Sequence, residues 1–202
     1  MPPKPKFTKE QIIAAALELV SEKGPEALTA RELGARLGSS ARPIFTVFNS
    51  MAEVHAAVRD AAMKHFESYA HRALDYTPAF KQLGMQMILF AMAEPKLYQL
   101  LFMSEIDYAC SFEDIFEQLG PLAVLSVEVI SRDYGLAEAD AKALFRHVWI
   151  YTFGIGAMVA AKVCDFTEEQ IIEMLGQDFM AMLFYAKSGR MNQPTPVPQM
   201  KQ

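Results

Sequence analysis

Residues 29–53 read TARELGARLGSSARPIFTVFNSMAE, two short helical patterns joined at a glycine and followed by a helix start. Thr29-x-x-Glu32 has the form of a capping box opening a helix over 30–37, with Leu33 and Leu37 inward and Gly38 ending it. Ser39 or Ser40 caps a second helix over about 40–47. Pro43 falls within its first turn, where its missing N–H has no intrahelical partner. Ser50-x-x-Glu53 opens a long third helix that runs to about residue 73. Upstream, Ile12, Ile13, Ala16, Leu17 and Val20 form an apolar stripe over 8–23, between the box Thr8-x-x-Gln11 and Gly24. A short pair of helices braced by this longer one is helix-turn-helix geometry.

Within the short segment, Ile44 and Phe48 face back onto Leu17, Leu33 and Leu37, which leaves Ala41, Arg42, Phe45 and Thr46 outward. Arg42 has the fork geometry for a guanine edge, and Ala41 and Pro43 suit a thymine methyl. The charge balance agrees in direction. Residues 1–60 hold 8 basic against 7 acidic residues, whereas the rest hold 11 against 17, for a net −5. An anionic partner therefore suits the front of the chain.

Beyond residue 78 the apolar spacing predicts helices over about 79–93, 95–104, 112–134, 138–163 and 168–187. LAVLSVEVI at 122–130 alternates as a strand does, but no second strand-like segment exists to pair with it, so helix is expected. Gly120-Pro121 is placed to kink or break that element. Prolines and glutamines in the tails point to a disordered arm over 1–6 and a disordered tail over 188–202. The longest apolar run, 148–161, falls short of a membrane span. Cys110 and Cys164 have no metal-ligand spacing, and a reduced, cytoplasmic setting is expected. The four histidines are scattered. No nucleophile elbow, phosphate loop or metal-binding pair is present, so neither catalysis nor a cofactor is expected.

Phe7 to Val58 resembles the DNA-binding domain of the tetracycline-repressor (TetR) family. The matching features are IIAAALELVSEKG, TARELGARLG, S-x-x-P-I-F-x-x-F and NSMAEV. AEPKLYQLLFM and W-x-x-x-F-G at 149–154 look like the family's C-terminal variant with a Trp, His, Gly signature. The resemblance implies an all-α fold with a three-helix DNA-binding domain at 7–53 and a helical effector-binding and dimerisation domain at 54–187. It implies a ligand-responsive repressor acting as a homodimer on a palindromic operator; the alternative is a helical small-molecule binding protein that has lost operator recognition. Thr29, Arg31, Ser39, Ser40, Ala41, Arg42, Pro43, Phe45, Thr46, Ser50 and Met51 are then the DNA-contacting candidates. Phe45 stands where the family commonly has Tyr, Met51 where it has Lys, and Phe153 where the signature has His. With the first two departures, affinity for the DNA backbone is expected to be weaker, or to be carried by Thr29, Arg31, Ser40 and the N-terminal Lys4, Lys6 and Lys9.

With 14 Phe and 13 Met, the second domain is expected to hold an apolar or weakly polar effector against Met87, Phe90, Phe102, Met103, Phe116, Trp149 and Phe153. The last two helices are apolar around much of their girth. The resemblance implies that they pair with their copies, with Gly156, Ala160, Ile171, Leu175, Phe179 and Leu183 at the dimer seam; the alternative is a larger monomeric core.

Overall fold

The structure is a computed structural model that describes residues 5–73, 79–104 and 111–191. All regular structure among them is helical. In order these are α1 (Lys9–Lys23), α2 (Ala30–Arg36), α3 (Met51–Arg72), α4 (Ala79–Ala93), α5 (Pro95–Tyr98), α6 (Phe112–Leu119), α7 (Pro121–Tyr134), α8 (Glu138–Ala160) and α9 (Glu168–Lys187). LAVLSVEVI is helical, within α7, and a break at Gly120 separates it from α6. Gly120 has φ 55° there.

Local chemistry sets most of the boundaries. At α1 both capping-box bonds form: Gln11 N donates to Thr8 Oγ1 (3.2 Å) and Thr8 N to Gln11 Oε1 (2.9 Å). The other two expected boxes close only halfway. Thr29 and Ser50 accept from Glu32 N and Glu53 N, but the two carboxylates are engaged elsewhere. Glu32 pairs with Lys23 Nζ at 2.9 Å, and Glu53 accepts from Asn49 N and Nδ2, each at 2.8 Å. Two further complete boxes open α6 (Ser111, Asp114) and α9 (Thr167, Gln170).

Three elements differ from expectation. The segment expected as a helix over 40–47 is a series of turns ending in one 3-10 turn, Ile44–Thr46. Pro43 has no N–H to give, and the Thr46 hydroxyl donates to the Pro43 carbonyl at 2.6 Å. Ile44, Thr46 and Val47 all bond three residues back, so the backbone winds tightly. The helix expected over 95–104 is α5 followed by a wider π turn, Gln99–Met103. α8 stops at Ala160, short of 163, in a Schellman turn: Val163 N donates to Met158 O and Lys162 N to Val159 O, with Lys162 at φ 56°.

α8 is the centre of the fold. It packs against α4, α5, α7 and α9. By length and composition it is apolar enough to cross a membrane, but nine of its residues are buried, as in a core helix. Tyr98 lies against it with no exposed surface, and its hydroxyl donates to the Phe153 carbonyl at 3.1 Å. Burial raises the Tyr98 pKa. A Cβ on Gly156 would stand 2.5 Å from that Oη and 2.7 Å from Cζ.

The ends of the described chain are tied in further than the sequence suggests. Lys6 Nζ donates to Ser39 Oγ at 3.1 Å, and Met191 packs on the core of α7–α9. The remainder of the expected disordered arm and tail, residues 1–4 and 192–202, lies outside the described residues, as does Cys110.

The Tyr98 contact makes Gly156 the most size-restricted position in α8. Gly156→Ala should lower stability by about 1–3 kcal/mol, measured by urea unfolding. Adding Tyr98→Phe, which removes the closest atom, should recover part of that loss rather than add to it.

Candidate DNA interface and effector cavities

The N-terminal unit is built by close approach of α2 to the turn segment at residues 38–43. Gly38, at φ 61°, closes α2 in a Schellman turn, with Ser39 N bonded to Gly34 O and Gly38 N to Ala35 O. The chain then folds back against α2 so tightly that a Cβ on Gly34 would lie 2.9 Å from both Ala41 N and Ser40 C. Ile44 and Phe48 are buried and join Leu33 in one core, with Leu17 and Leu37 packed against it. Arg36 ties α2 to α1 through Glu18 (2.9 Å) and Glu22 (2.7 Å). Those hydrogen bonds raise the pKa of Arg36 and lower that of Glu22.

This scaffold leaves Thr29, Arg31, Ser40, Arg42, Phe45, Thr46 and Ser50 exposed, with Ser39, Ala41 and Pro43 half-buried. Phe45 presents a bare ring, 45% exposed. Thr29 and Ser50 accept a backbone N–H as helix caps, which leaves each hydroxyl hydrogen free to donate to a phosphate. Thr46 has spent its hydrogen on Pro43 and can only accept. Met51 is half-buried and packs against the N-terminal core. Lys6 sits over the turn at Ser39, which brings a cation from the arm to this face.

Two cavities flank Trp149 in the second domain. The first, about 50 Å³, is walled by α3 (Phe66, Ala70), α4 (Leu83, Gly84, Met87), α7 (Leu122, Ala123, Ser126) and α8 (Phe145, Val148, Trp149, Thr152), with Leu119 from α6. The second, about 290 Å³, opens between Arg59 and Met63 on one side and Phe102, Trp149 and Phe153 on the other. Trp149 and Phe153 stack at 5.4 Å and 20°.

Of the expected effector residues, Met87 and Trp149 line the first cavity, and Phe102, Trp149 and Phe153 the second. Phe116 lies on a separate groove with Glu128, Arg132 and Lys142. Phe90 does not belong with them. It is fully buried among Phe66, Tyr69 and His65, and is core. Met103 is exposed at the end of the π turn and lines none of these three spaces. Helical spacing could place Gly84, Ser126 and Thr152 on apolar helices, but not on one cavity.

The residues expected at the dimer seam are turned inward. Ile171, Leu175, Phe179 and Leu183 point into the chain's own core, Phe179 at 4% exposure, Gly156 faces Tyr98, and Ala160 is buried against the N-terminal core. The apolar residues left uncovered are their neighbours: Ile172, Met180 and Phe184 on α9, the last 80% exposed, with Ile150 and Met158 on α8.

His65 is not simple surface. It lies 3.7 Å from Glu94, which also accepts from Ser21 Oγ of α1 at 2.9 Å. His147 lies 3.6 Å from Asp178; burial raises the Asp178 pKa, and His147 opposes that rise.

The family model for bacterial regulatory proteins of the tetR family matches residues 12–58. Among solved structures, the crystal structure of apo ActR from Streptomyces coelicolor matches with a TM-score of 0.51 at 14% identity, covering 93% of this chain and 99% of that one. No curated protein sequence matches. The N-terminal unit is thus a helix-turn-helix of the tetR type, and the all-α, two-domain fold is that of the ActR structure. The family match supports a tetR-type DNA-binding domain over residues 12–58, and the structural likeness shows the fold alone.

Gly34 sets how closely the segment at residues 38–43 rests on α2. Gly34→Ala should force Ser40 and Ala41 outward, costing about 1–3 kcal/mol in urea unfolding. Gly38→Ala, which strains a left-handed backbone but meets no neighbour within 4 Å, should cost about 1 kcal/mol.

Proposed function

We propose that the chain is a ligand-responsive transcriptional regulator, a homodimeric repressor released from a palindromic operator when a small apolar or weakly polar effector enters the second domain. The observation that carries this reading is the continuity of α3. Its first half supplies Val54 and Val58 to the helix-turn-helix core, and its second half supplies Phe66 and Ala70 to the wall of the first cavity. A guest that moves this wall moves the start of α3, where Ser50 and Met51 flank the DNA-facing segment. Two copies of that segment then change spacing, and half-sites one helical turn apart (about 34 Å) lose register.

Arg59 is the second mechanical link. Its Nη1 donates to the Leu100 carbonyl and its Nη2 to Leu101, both at 2.7 Å. It therefore joins α3 to the π turn that borders the second cavity. The resemblance to the Trp, His, Gly signature rests on Trp149 and Gly154. Phe153 supplies a stacked ring where an imidazole is usual, which favours an apolar guest.

The uncovered face of α8 and α9 supports dimerisation. Ile172, Met180 and Phe184 recur on one side of α9, and a second copy related by twofold symmetry would cover them. The alternative, a binding protein without operator recognition, is favoured by Met51 and Phe45, which offer neither the charge nor the hydroxyl usual at those positions.

A mobility-shift assay on DNA flanking the chain's own gene separates the two readings. A specific shift supports the regulator, and its absence with effector binding intact supports the alternative. On the cognate site, Arg42→Ala should cost about 1–3 kcal/mol and flatten discrimination at one base pair. Equal losses on cognate and random DNA would make Arg42 a phosphate contact. Phe184→Glu with Met180→Glu should give folded monomers by sedimentation, whereas Phe179→Glu should unfold the chain. A stable dimer in the first variant would place the seam elsewhere.

A further inference from the structure

The first cavity contains a polar group that the fold leaves unused. Thr152 is 2% exposed, and its Oγ1 is buried with no hydrogen-bond partner. A threonine inside a helix ordinarily gives its hydrogen to a carbonyl one turn back, and here that bond is not made. Opposite it, α4 carries Gly84, where a Cβ would stand 3.2 Å from Thr152 Oγ1. The missing side chain keeps open the space beside the hydroxyl.

Ser126, the other hydroxyl of the lining, has donated its hydrogen to the Leu122 carbonyl at 2.7 Å. It has only lone pairs to offer. No charged side chain lines this cavity.

We infer that the cavity takes a small neutral hydroxylated molecule, a phenol or a short alcohol, whose oxygen accepts from Thr152 and whose hydrogen is donated to Ser126. This rests on the ligand-responsive reading above and specifies its chemistry. A hydrocarbon would leave Thr152 unpaired. A carbonyl compound would engage Thr152 but give Ser126 nothing to accept. A carboxylate would bring a charge into apolar walls with no cation to meet it. A space of about 50 Å³ holds only a few water-sized volumes, so a short alcohol fits it as it stands and a single ring enters only when the flexible Met87 yields.

Calorimetry on the full chain with phenol, toluene and benzoate tests this. Phenol should bind roughly tenfold tighter than toluene, the equivalent of one net hydrogen bond, and benzoate should not bind. Thr152→Val, which replaces the hydroxyl by a methyl of similar size, should erase that preference, leave toluene affinity unchanged and raise the melting temperature of the empty protein. Gly84→Ala should lose both phenol and toluene while staying folded. Equal affinity for phenol and toluene in the parent chain, or a preference that survives in Thr152→Val, overturns the inference. Operator binding is measured on the same samples. DNA binding without phenol binding overturns this ligand chemistry and leaves the regulator standing. Phenol binding without DNA binding overturns the regulator and leaves the ligand chemistry standing.

Discussion

The guanidinium of Arg59 is held by main-chain oxygens rather than by a carboxylate. Half-buried on α3, it bonds the carbonyls of Leu100 and Leu101, and burial lowers its pKa with Asp60 partly opposing. Those carbonyls belong to the π turn after α5, at the end of a helical segment where carbonyls lack intrahelical partners; Ser104 Oγ shares the Leu100 oxygen at 3.0 Å. Charge-assisted bonds of this kind are stronger than neutral ones. The clamp joins the long helix leaving the DNA-binding unit to the segment beside the second cavity, alongside the packing of α1 on α5 and of α3 on α4. Gln99, in the same π turn, donates to the Ala160 carbonyl at 2.7 Å, so one short segment holds both α3 and the end of α8.

Around that joint the contacts divide by chemistry. The N-terminal unit is held together by a compact apolar core and a ring of exposed ion pairs, of which the two-pronged Arg36 contact with Glu18 and Glu22 is the most ordered. The second domain is held by apolar packing against α8, with aromatic rings in edge and stacked contacts, and it too carries ion pairs, Arg132–Asp133 and Lys142–Glu113. Salt weakens the exposed pairs of either unit far more than the apolar packing.

Local signals carry well from sequence to structure. Thr8, Thr29 and Ser50 cap the helices expected of them, because a cap depends on residues three positions apart. The inward face of Ile44 and Phe48 is legible for the same reason. The features that sequence misplaces need partners distant along the chain. Periodicity shows that α9 is apolar on two sides, but which side meets the chain's own α4 and α8 depends on tertiary packing. Phe179 and Leu183 go inside, and Met180 and Phe184, one residue on, are left out. Phe90 has the composition of a cavity residue and the neighbours of a core residue. Thr152 is readable only as a lone hydroxyl in an apolar run, and nothing in the sequence places Gly84 beside it.

The backbone contact at Gly34 separates folding from reading. Because main chain, not side chain, seats residues 40 and 41 on α2, the outward side chains at Arg42 and Phe45 take little part in holding the unit together, and Thr46 ties only its own turn through the Pro43 carbonyl. Those positions are free to vary with the site they face, whereas Gly34, Ile44 and Phe48 are not. The short segment is a socket of constant shape with interchangeable contacts, so related chains could acquire new target sequences through outward substitutions alone, without rebuilding the core beneath.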